Sequence, residues 1–505
     1  MSGPALTHDD PHWSTRLLVL IALLTLYRGL VLYFGHLDLY VDEAQYWTWA
    51  QNLTWGYYSK PPVIALLIAL TTAIGGNGVF WVKCGSLLCY PLSAWLLYAL
   101  GSRLFDRRIG FWSATAFLLL PGVSLSSMII STDVPFFLCW CAALYAYWRA
   151  LQDNRWRWWL MAGIASGLGL QTKYTMILFA LSVLLHLASD AGLRRQFRNP
   201  RLYLTMLLAA LIFIPNLWWN AVNGWPTLHH TEGISHLENG AGLHWNHLSD
   251  FLGAQFAVMG PVFFGAWLWL TLWRSSRWWN DERLRFLNLF ALPFLAVICG
   301  QALLGRANAN WGAMTYASAT ILMVAMLLQH SSRKVLGQLF VWGFAINVVM
   351  MPIAYHFDAW TRAVGITLSA HNDPFKRVRG WAKLGTKVRV LMSRYPHALI
   401  LGDARDIVAE LMYYDRPQAL HQTLQWNPQH RVDSQYTLTD TLADKRGRNF
   451  IYLTGSATLS AEVRNSFAQA QALGPVHVQI HRDYALDYHA FLLRDFRGYA
   501  DQAQP

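Results

Sequence analysis

Apolar side chains fill stretches of roughly 18 to 20 positions, one after another, through the first 355 residues, with short polar intervals between them. That is the length a helix needs to cross the hydrocarbon core of a bilayer. The pattern predicts eleven spans, at 15–35, 83–102, 110–130, 134–150, 157–171, 174–189, 202–220, 251–273, 286–304, 311–329 and 335–355. One further run, "VIALLIALTTAIGG" at 63–76, is short for a span and is predicted as a helix lying in the interface.

Past residue 355 the pattern changes. Short strand-like runs appear at "HALILGD", "RNFIYLTG", "VHVQIH" and "YHAFLLRD", with helical periodicity between them, as in "ARDIVAELMYYD", where Asp403 is the predicted cap. The chain therefore reads as a polytopic α-helical membrane protein of about eleven spans plus interfacial helices, carrying a small soluble α/β domain. Its divisions are an N-terminal segment 1–14, a membrane domain 15–355 with outer loops 36–82 and 220–250, and a soluble domain 356–505. No internal repeat is visible.

Composition agrees: 54% of residues are hydrophobic and 13% charged, against a typical charged share of about 25%. The polar start runs into a full-length apolar span without a small-residue cleavage site, so no removable signal peptide is expected. The formal net charge of +12 lies mostly in short loops between spans, which marks topology rather than a nucleic-acid face. With 63–76 in the interface, arginine clusters such as Arg103, Arg107 and Arg108, then Arg194, Arg195, Arg198 and Arg201, all fall on the N-terminal side. The opposite side keeps Lys60, Lys83, Lys173 and Arg306. The bias places the N-terminus in the cytoplasm and the C-terminal domain outside it. The five cysteines lie in or beside apolar runs and read as unpaired thiols, with no disulfide framework or metal spacing.

The outer face then concentrates the charge a membrane protein ordinarily avoids. "LYVDEAQYWTWAQNLTWGYYSKPP" (39–62) carries Asp42 and Glu43 and, further on, Lys60 before two prolines; "IISTDVPFF" carries Asp133 and "LQTKYTM" carries Lys173. Intramembrane and boundary charges are costly unless paired, so they mark a candidate functional cavity. Asp42 suits a general base for an acceptor hydroxyl; its competing reading is an N-cap, in a capping box with Gln45. Lys60 suits a departing phosphate. Asp133 has a cap as its competing reading, and Lys83 a snorkelling lysine. Tyr46, Trp47, Trp49, Trp55, Tyr57 and Tyr58 can stack on a sugar or prenyl chain, or form an ordinary interfacial belt. The loop 220–250 places His229, His230, His236, His244 and His247 near Glu232 and Glu238. A divalent metal at His229, His230 and Glu232 is one reading, contact with a sugar or phosphate another. There is no Walker A loop, and Gly163 and Gly167 in "GIASGLG" read as close helix packing. Activated substrate on an outer face without nucleotide has to arrive on a lipid.

The acid pair in "VDEAQYW", the K-P-P of "YYSKPP", "STDVP" and "LGLQTKYTM" together resemble the GT-C superfamily of membrane glycosyltransferases. Within it the likeness is to the bacterial dolichyl-phosphate-mannose protein mannosyltransferase-like group, which includes the lipid A aminoarabinose transferases. It covers roughly residues 15–320, and "GRANANWGAMTY" is similar to a recurring segment of those relatives. The resemblance implies a GT-C fold and an inverting transfer of a sugar from a polyprenyl-phosphate donor. The acceptor would be a hydroxyl of a glycolipid such as lipid A, a polysaccharide or a protein, at the periplasmic face of the inner membrane. It implies Asp42 as base, Glu43 as its support, and Lys60 as the phosphate site, with Lys173 and Arg306 as further phosphate candidates. Asp133, Tyr58, His229 and His230 fall to the substrate cavity. One departure is Ser59, where the aminoarabinose group often has glutamate in E-K-P-P; its loss lowers the expectation of a metal and points to a different donor sugar. The alternative function is a secondary transporter or lipid flippase using the outer charges for coupling, against which stands the missing internal repeat.

Overall fold

The first apolar run folds as one helix, Trp13–Phe34, and the last as another, Lys334–Tyr355. The computed structural model describes residues 12–235, 242–273, 279–329 and 334–499. His236, Glu238, Arg274, Arg277, Arg333 and most of the segment 1–14 lie outside those residues. The chain forms two compact units. One holds the residues up to Phe34, Lys60–Leu67 and Lys83–Phe357; the other holds Gly35–Ser59, Ile68–Val82 and the chain from Asp358 on.

The first unit is helical. Among the described residues six helices are long and apolar enough to cross a membrane, or seven if one bent pair counts as a span; Val63–Gly75, Tyr174–Ala188 and Thr315–Gln329 are shorter apolar helices. At 1.5 Å per residue the 13 residues of Val63–Gly75 reach about 20 Å, less than a bilayer core.

The predicted spans lie mostly on helix; 83–102 and 286–304 are interrupted by short turns at 84–85 and 290–291, and two others break at a proline. The run 110–130 is Arg107–Leu119 followed by Pro121–Ser126, because Pro121 cannot donate to the preceding turn and starts a new helix at its first position. The run 251–273 is Trp245–Met259 and Pro261–Trp273, the pair bent by 115°. Gly260 makes the bend at φ +94, and a Cβ there would lie 2.2 Å from Asn347 Oδ1. The break at Pro121 is used structurally. Leu118 near the end of its helix has a carbonyl with no helical partner, and it accepts from Nη2 of Arg28, a buried arginine in the first helix. Arg28 Nε also donates to Tyr355 Oη at 2.9 Å, tying first helix to last.

Gly163 and Gly167 do mark close packing. A Cβ on Gly167 would come 2.8 Å from Ile212 Cβ, and one on Gly163 2.9 Å from the Thr205 carbonyl of helix Pro200–Val222. Gly167→Ile should destabilise the detergent-solubilised protein by about 1–3 kcal/mol through overpacking. Gly300→Ala, where a Cβ meets nothing within 4 Å, should leave thermal unfolding unchanged or raised. Equal melting temperatures for the two variants would refute the packing account.

The second unit carries a five-stranded sheet in the order β2-β1-β3-β5-β4, with β1 Leu399–Gly402, β2 Thr423–Gln425, β3 Phe450–Thr454, β4 Phe467–His481 and β5 Tyr484–Phe496. β1 pairs parallel with β2 and β3, while β5 runs antiparallel to β3 and β4. β1 and β3 are buried along their whole length, which is why they read as unbroken apolar runs. β2 escapes sequence reading because "TLQ" has no such signal. The helix after β1, Arg405–Tyr414, starts without a side-chain cap; Asp403 is not its cap, since its Oδ2 accepts instead from the Gly455 amide beyond β3.

Candidate active site

The acid pair lies on helix Val41–Ala50 in the second unit. Tyr40, in extended conformation, is its N-cap, and Glu43 at the third helical position reaches back to the Tyr40 amide at 2.8 Å. Glu43 is 1% exposed, so its carboxylate secures the start of the helix. The expected Asp42–Gln45 capping box is thereby corrected: the helix begins one residue earlier, which puts Asp42 inside the first turn and free of capping duty. Asp42 Oδ1 instead accepts from Arg405 Nη1 at 2.9 Å, and the same nitrogen donates to Gln45 Oε1 at 2.9 Å. The side chains of Arg405 and Asp42 are 40% and 42% exposed, so the pair stands open to an incoming molecule. Burial works against the Arg405 charge, but Asp42, with Tyr436 and Tyr46, more than offsets it and holds the guanidinium pKa above its ordinary value.

The aromatic residues around the pair are a core rather than an interfacial belt. Tyr46, Trp47, Trp49 and Tyr57 are all buried, Trp49 and Tyr57 stacked 4.5 Å apart, and Trp47 meets Tyr413 edge-on at 5.0 Å. Trp55 is exposed. Trp47 Nε1 donates to Asn77 Oδ1 at 2.8 Å, and the Leu39 amide to Tyr414 Oη at 2.7 Å. These contacts seat the acid-bearing helix on Arg405–Tyr414 and so fix where Asp42 meets Arg405. Tyr58 is half-buried and its amide donates to Gln435 Oε1 at 2.7 Å. Burial and then Asp433 push the Tyr58 hydroxyl pKa up, while Arg405 acts the other way.

A second cluster forms in the first unit. Asp133 opens helix Asp133–Asp153 but does not cap it: Oδ1 accepts from Lys173 Nζ at 2.8 Å and Oδ2 from Asn310 Nδ2 at 2.6 Å. Three segments distant in sequence thus meet on one mostly buried carboxylate at a helix N-terminus. Lys173 Nζ also lies 6.0 Å from the Phe136 ring. The K-P-P segment docks beside it. Pro61 and Pro62 have no N–H, so Val63 supplies the first backbone donor after Lys60, and it bonds the Gln171 carbonyl at 3.1 Å. Lys60 itself is half-buried.

Arg306 is exposed, and among the described residues its guanidinium makes no hydrogen bond. Lys83 is 3% exposed, which overturns the snorkelling reading. His229, His230 and Glu232 lie on helix Pro226–Ser235. His229 and Glu232, three apart, share a helix face and supply two ligands at most from it. Among the described residues no group of three His, Cys, Asp or Glu is placed to hold a metal. Among the described residues, which include all five cysteines, there is no disulfide. Arg405 and Asn310 are the residues that sequence reading missed. Asn310 lay within a segment singled out for its likeness, whereas Arg405 carries no local signal.

Comparison with known proteins adds relatives to this geometry. The family model for dolichyl-phosphate-mannose-protein mannosyltransferase matches residues 59–219. The lipid A galacturonosyltransferase RgtD of Rhizobium johnstonii is 32% identical over 451 residues, 88% of this chain and 92% of that protein. An undecaprenyl phosphate-α-4-amino-4-deoxy-L-arabinose arabinosyl transferase of Pseudomonas fluorescens is 28% identical over 56% of this chain and 49% of its own length. The crystal structure of ArnT from Cupriavidus metallidurans superposes with TM-score 0.63 in its apo state, at 15% identity over 97% of this chain and 99% of that one. Its undecaprenyl phosphate complex gives TM-score 0.60, at 14% identity over 98% and 100%. At that identity the fold is what is shared.

Proposed function

Because the chain belongs to the GT-C superfamily of membrane glycosyltransferases, we propose that it moves a galacturonosyl residue from a polyprenyl phosphate to a hydroxyl of lipid A. The observation that carries the choice of sugar is the extent of likeness: it runs over 92% of the lipid A galacturonosyltransferase, against 49% of the arabinosyl transferase. Ser59 in place of the glutamate common before K-P-P in the aminoarabinose group points the same way. The transporter alternative finds no support among these relatives.

In this reading Asp42 takes the proton from the acceptor hydroxyl through Oδ2, the oxygen that Arg405 leaves unengaged, as the hydroxyl attacks the anomeric carbon with inversion. Glu43 positions the helix. Lys60 meets the charge that develops on the departing phosphate. Lys173 is matched by Asp133 and shapes its surroundings more than it adds charge. A divalent metal at His229 and Glu232 would need further ligands, and no step here uses one; restored transfer on adding a metal after chelation would reveal it. The protein would cross the inner membrane eleven times, with its N-terminus cytoplasmic and the sheet-bearing end periplasmic.

The test supplies membranes containing the protein with lipid A and a panel of polyprenyl-phosphate donors. Mass spectrometry should show lipid A gaining a hexuronic acid. Exclusive gain of aminoarabinose or of a neutral hexose would sink the choice of sugar, and no gain from any donor would sink the acceptor or the reading itself.

A further inference from the structure

We propose that Arg405 is the residue that recognises the carboxylate of the donor sugar, and so selects a uronic acid over a neutral or cationic one; this rests on the uronosyl reading above. The guanidinium spends one nitrogen, Nη1, on both Asp42 Oδ1 and Gln45 Oε1. Among the described residues neither Nε nor Nη2 has an acceptor, which leaves one edge of the fork, the edge that binds carboxylates in bidentate fashion, available. The pair is too exposed to exist for stability: surface ion pairs contribute little.

Electrostatics calls for a cation at this place. Asp42 is open while Glu43 is buried on the Tyr40 amide, so a donor bearing its own carboxylate meets the negative side chain of Asp42 as its anomeric carbon approaches. Arg405 offsets that repulsion within 2.9 Å of the base. In a pyranuronic acid the carboxylate is separated from the anomeric carbon by no more than the width of the ring. A sugar presented to Asp42 therefore brings its carboxylate within reach of the same guanidinium. A cationic amino sugar would be repelled there. The position fits the sheet as well. Arg405 follows β1 by three residues, at the carboxyl ends of the parallel strands, where open α/β sheets bind their ligands. Tyr46, Tyr58 and Tyr436 stand within electrostatic reach of it.

The experiment uses the full-length protein in membranes, lipid A as acceptor, and two donors that differ only at C6, polyprenyl-phosphate galacturonic acid and polyprenyl-phosphate galactose. Wild type should prefer the acid. Arg405→Gln should lower kcat/KM for the acid by about 100-fold and affect galactose far less, so that the preference collapses. Arg405→Lys, which keeps the charge but not the fork, should fall between, and it carries the test should Arg405→Gln fail to fold. Equal losses on both donors would mean that Arg405 acts only through Asp42. An unchanged preference would remove it from recognition. A wild type that uses both donors alike also overturns the inference while leaving uronosyl transfer standing, whereas a wild type that transfers no uronic acid fails at the earlier reading.

Discussion

Asp42→Asn should cut sugar transfer by about 10²- to 10⁴-fold, the usual worth of a positioned general base, while the protein folds and accumulates as wild type does. The structure makes this substitution unusually clean. The cap of helix Val41–Ala50 belongs to Tyr40 and Glu43, so an asparagine at 42 removes no capping bond. Its amide oxygen can still accept from Arg405, and the exposed ion pair it replaces is worth about 0.2–1 kcal/mol. Loss of activity at unchanged melting temperature then reports chemistry alone. Glu43→Gln supplies the contrast: glutamine also reaches back to the Tyr40 amide, so that variant should keep most of its transfer. If Asp42→Asn transfers normally, Asp42 is not the base. Glu43, buried and already hydrogen-bonded to its own helix, is a poor replacement, and Asp133 becomes the residue to test.

How much of this was legible in the chain differs from feature to feature. Apolar runs locate the apolar helices, because burial in lipid demands length and composition and little else. Of the eleven spans expected, however, only six helices, or seven with the bent pair, are long and apolar enough to cross among the described residues. The two breaks at proline carried a signal that apolarity masked: "LLLPGV" and "VMGPVF" both hold a proline beside a glycine, the strongest local punctuation there is. Lys173 and Asp133 were each nominated for being a charge where charge is expensive, and they turn out to be each other's partner across 40 positions. Asp42 was nominated as a base with a cap as its competing reading, and the cap went to Tyr40 and Glu43, since a shift of one residue in a helix start reassigns every capping position. Arg405 was illegible for a different reason. It stands 363 positions from Asp42, in a run that reads as an ordinary amphipathic helix, and tertiary contacts such as Trp47 on Tyr413 and the Leu39 amide on Tyr414 bring the two helices together. Tertiary pairing of this kind leaves no periodicity to read. The aromatic patch was misjudged because burial inside the sheet-bearing unit and residence in an interface recruit the same residues.

Lys60→Met should lower kcat by about 10²- to 10³-fold, the typical cost of removing one group that stabilises transition-state charge. Methionine keeps the length and apolar stem of lysine and loses only the ammonium, so the segment's backbone anchor, the Val63 amide on the Gln171 carbonyl, should survive. The two prolines that follow fix the chain's direction and prevent another residue from sliding into place. The division between kcat and KM decides what the lysine does. As the bond to the sugar breaks, the bridging oxygen takes up negative charge that the ground-state phosphodiester lacks, so a cation aimed there is felt more in the transition state than in the bound donor. A fall in kcat with nearly constant KM for the donor is therefore expected, and Lys60→Arg should recover part of the rate. A rise in KM at unchanged kcat would assign Lys60 to holding the lipid phosphate uniformly in both states. An unchanged rate would move the search to Lys173, whose pairing with Asp133 could then be an arrangement that opens when the donor binds.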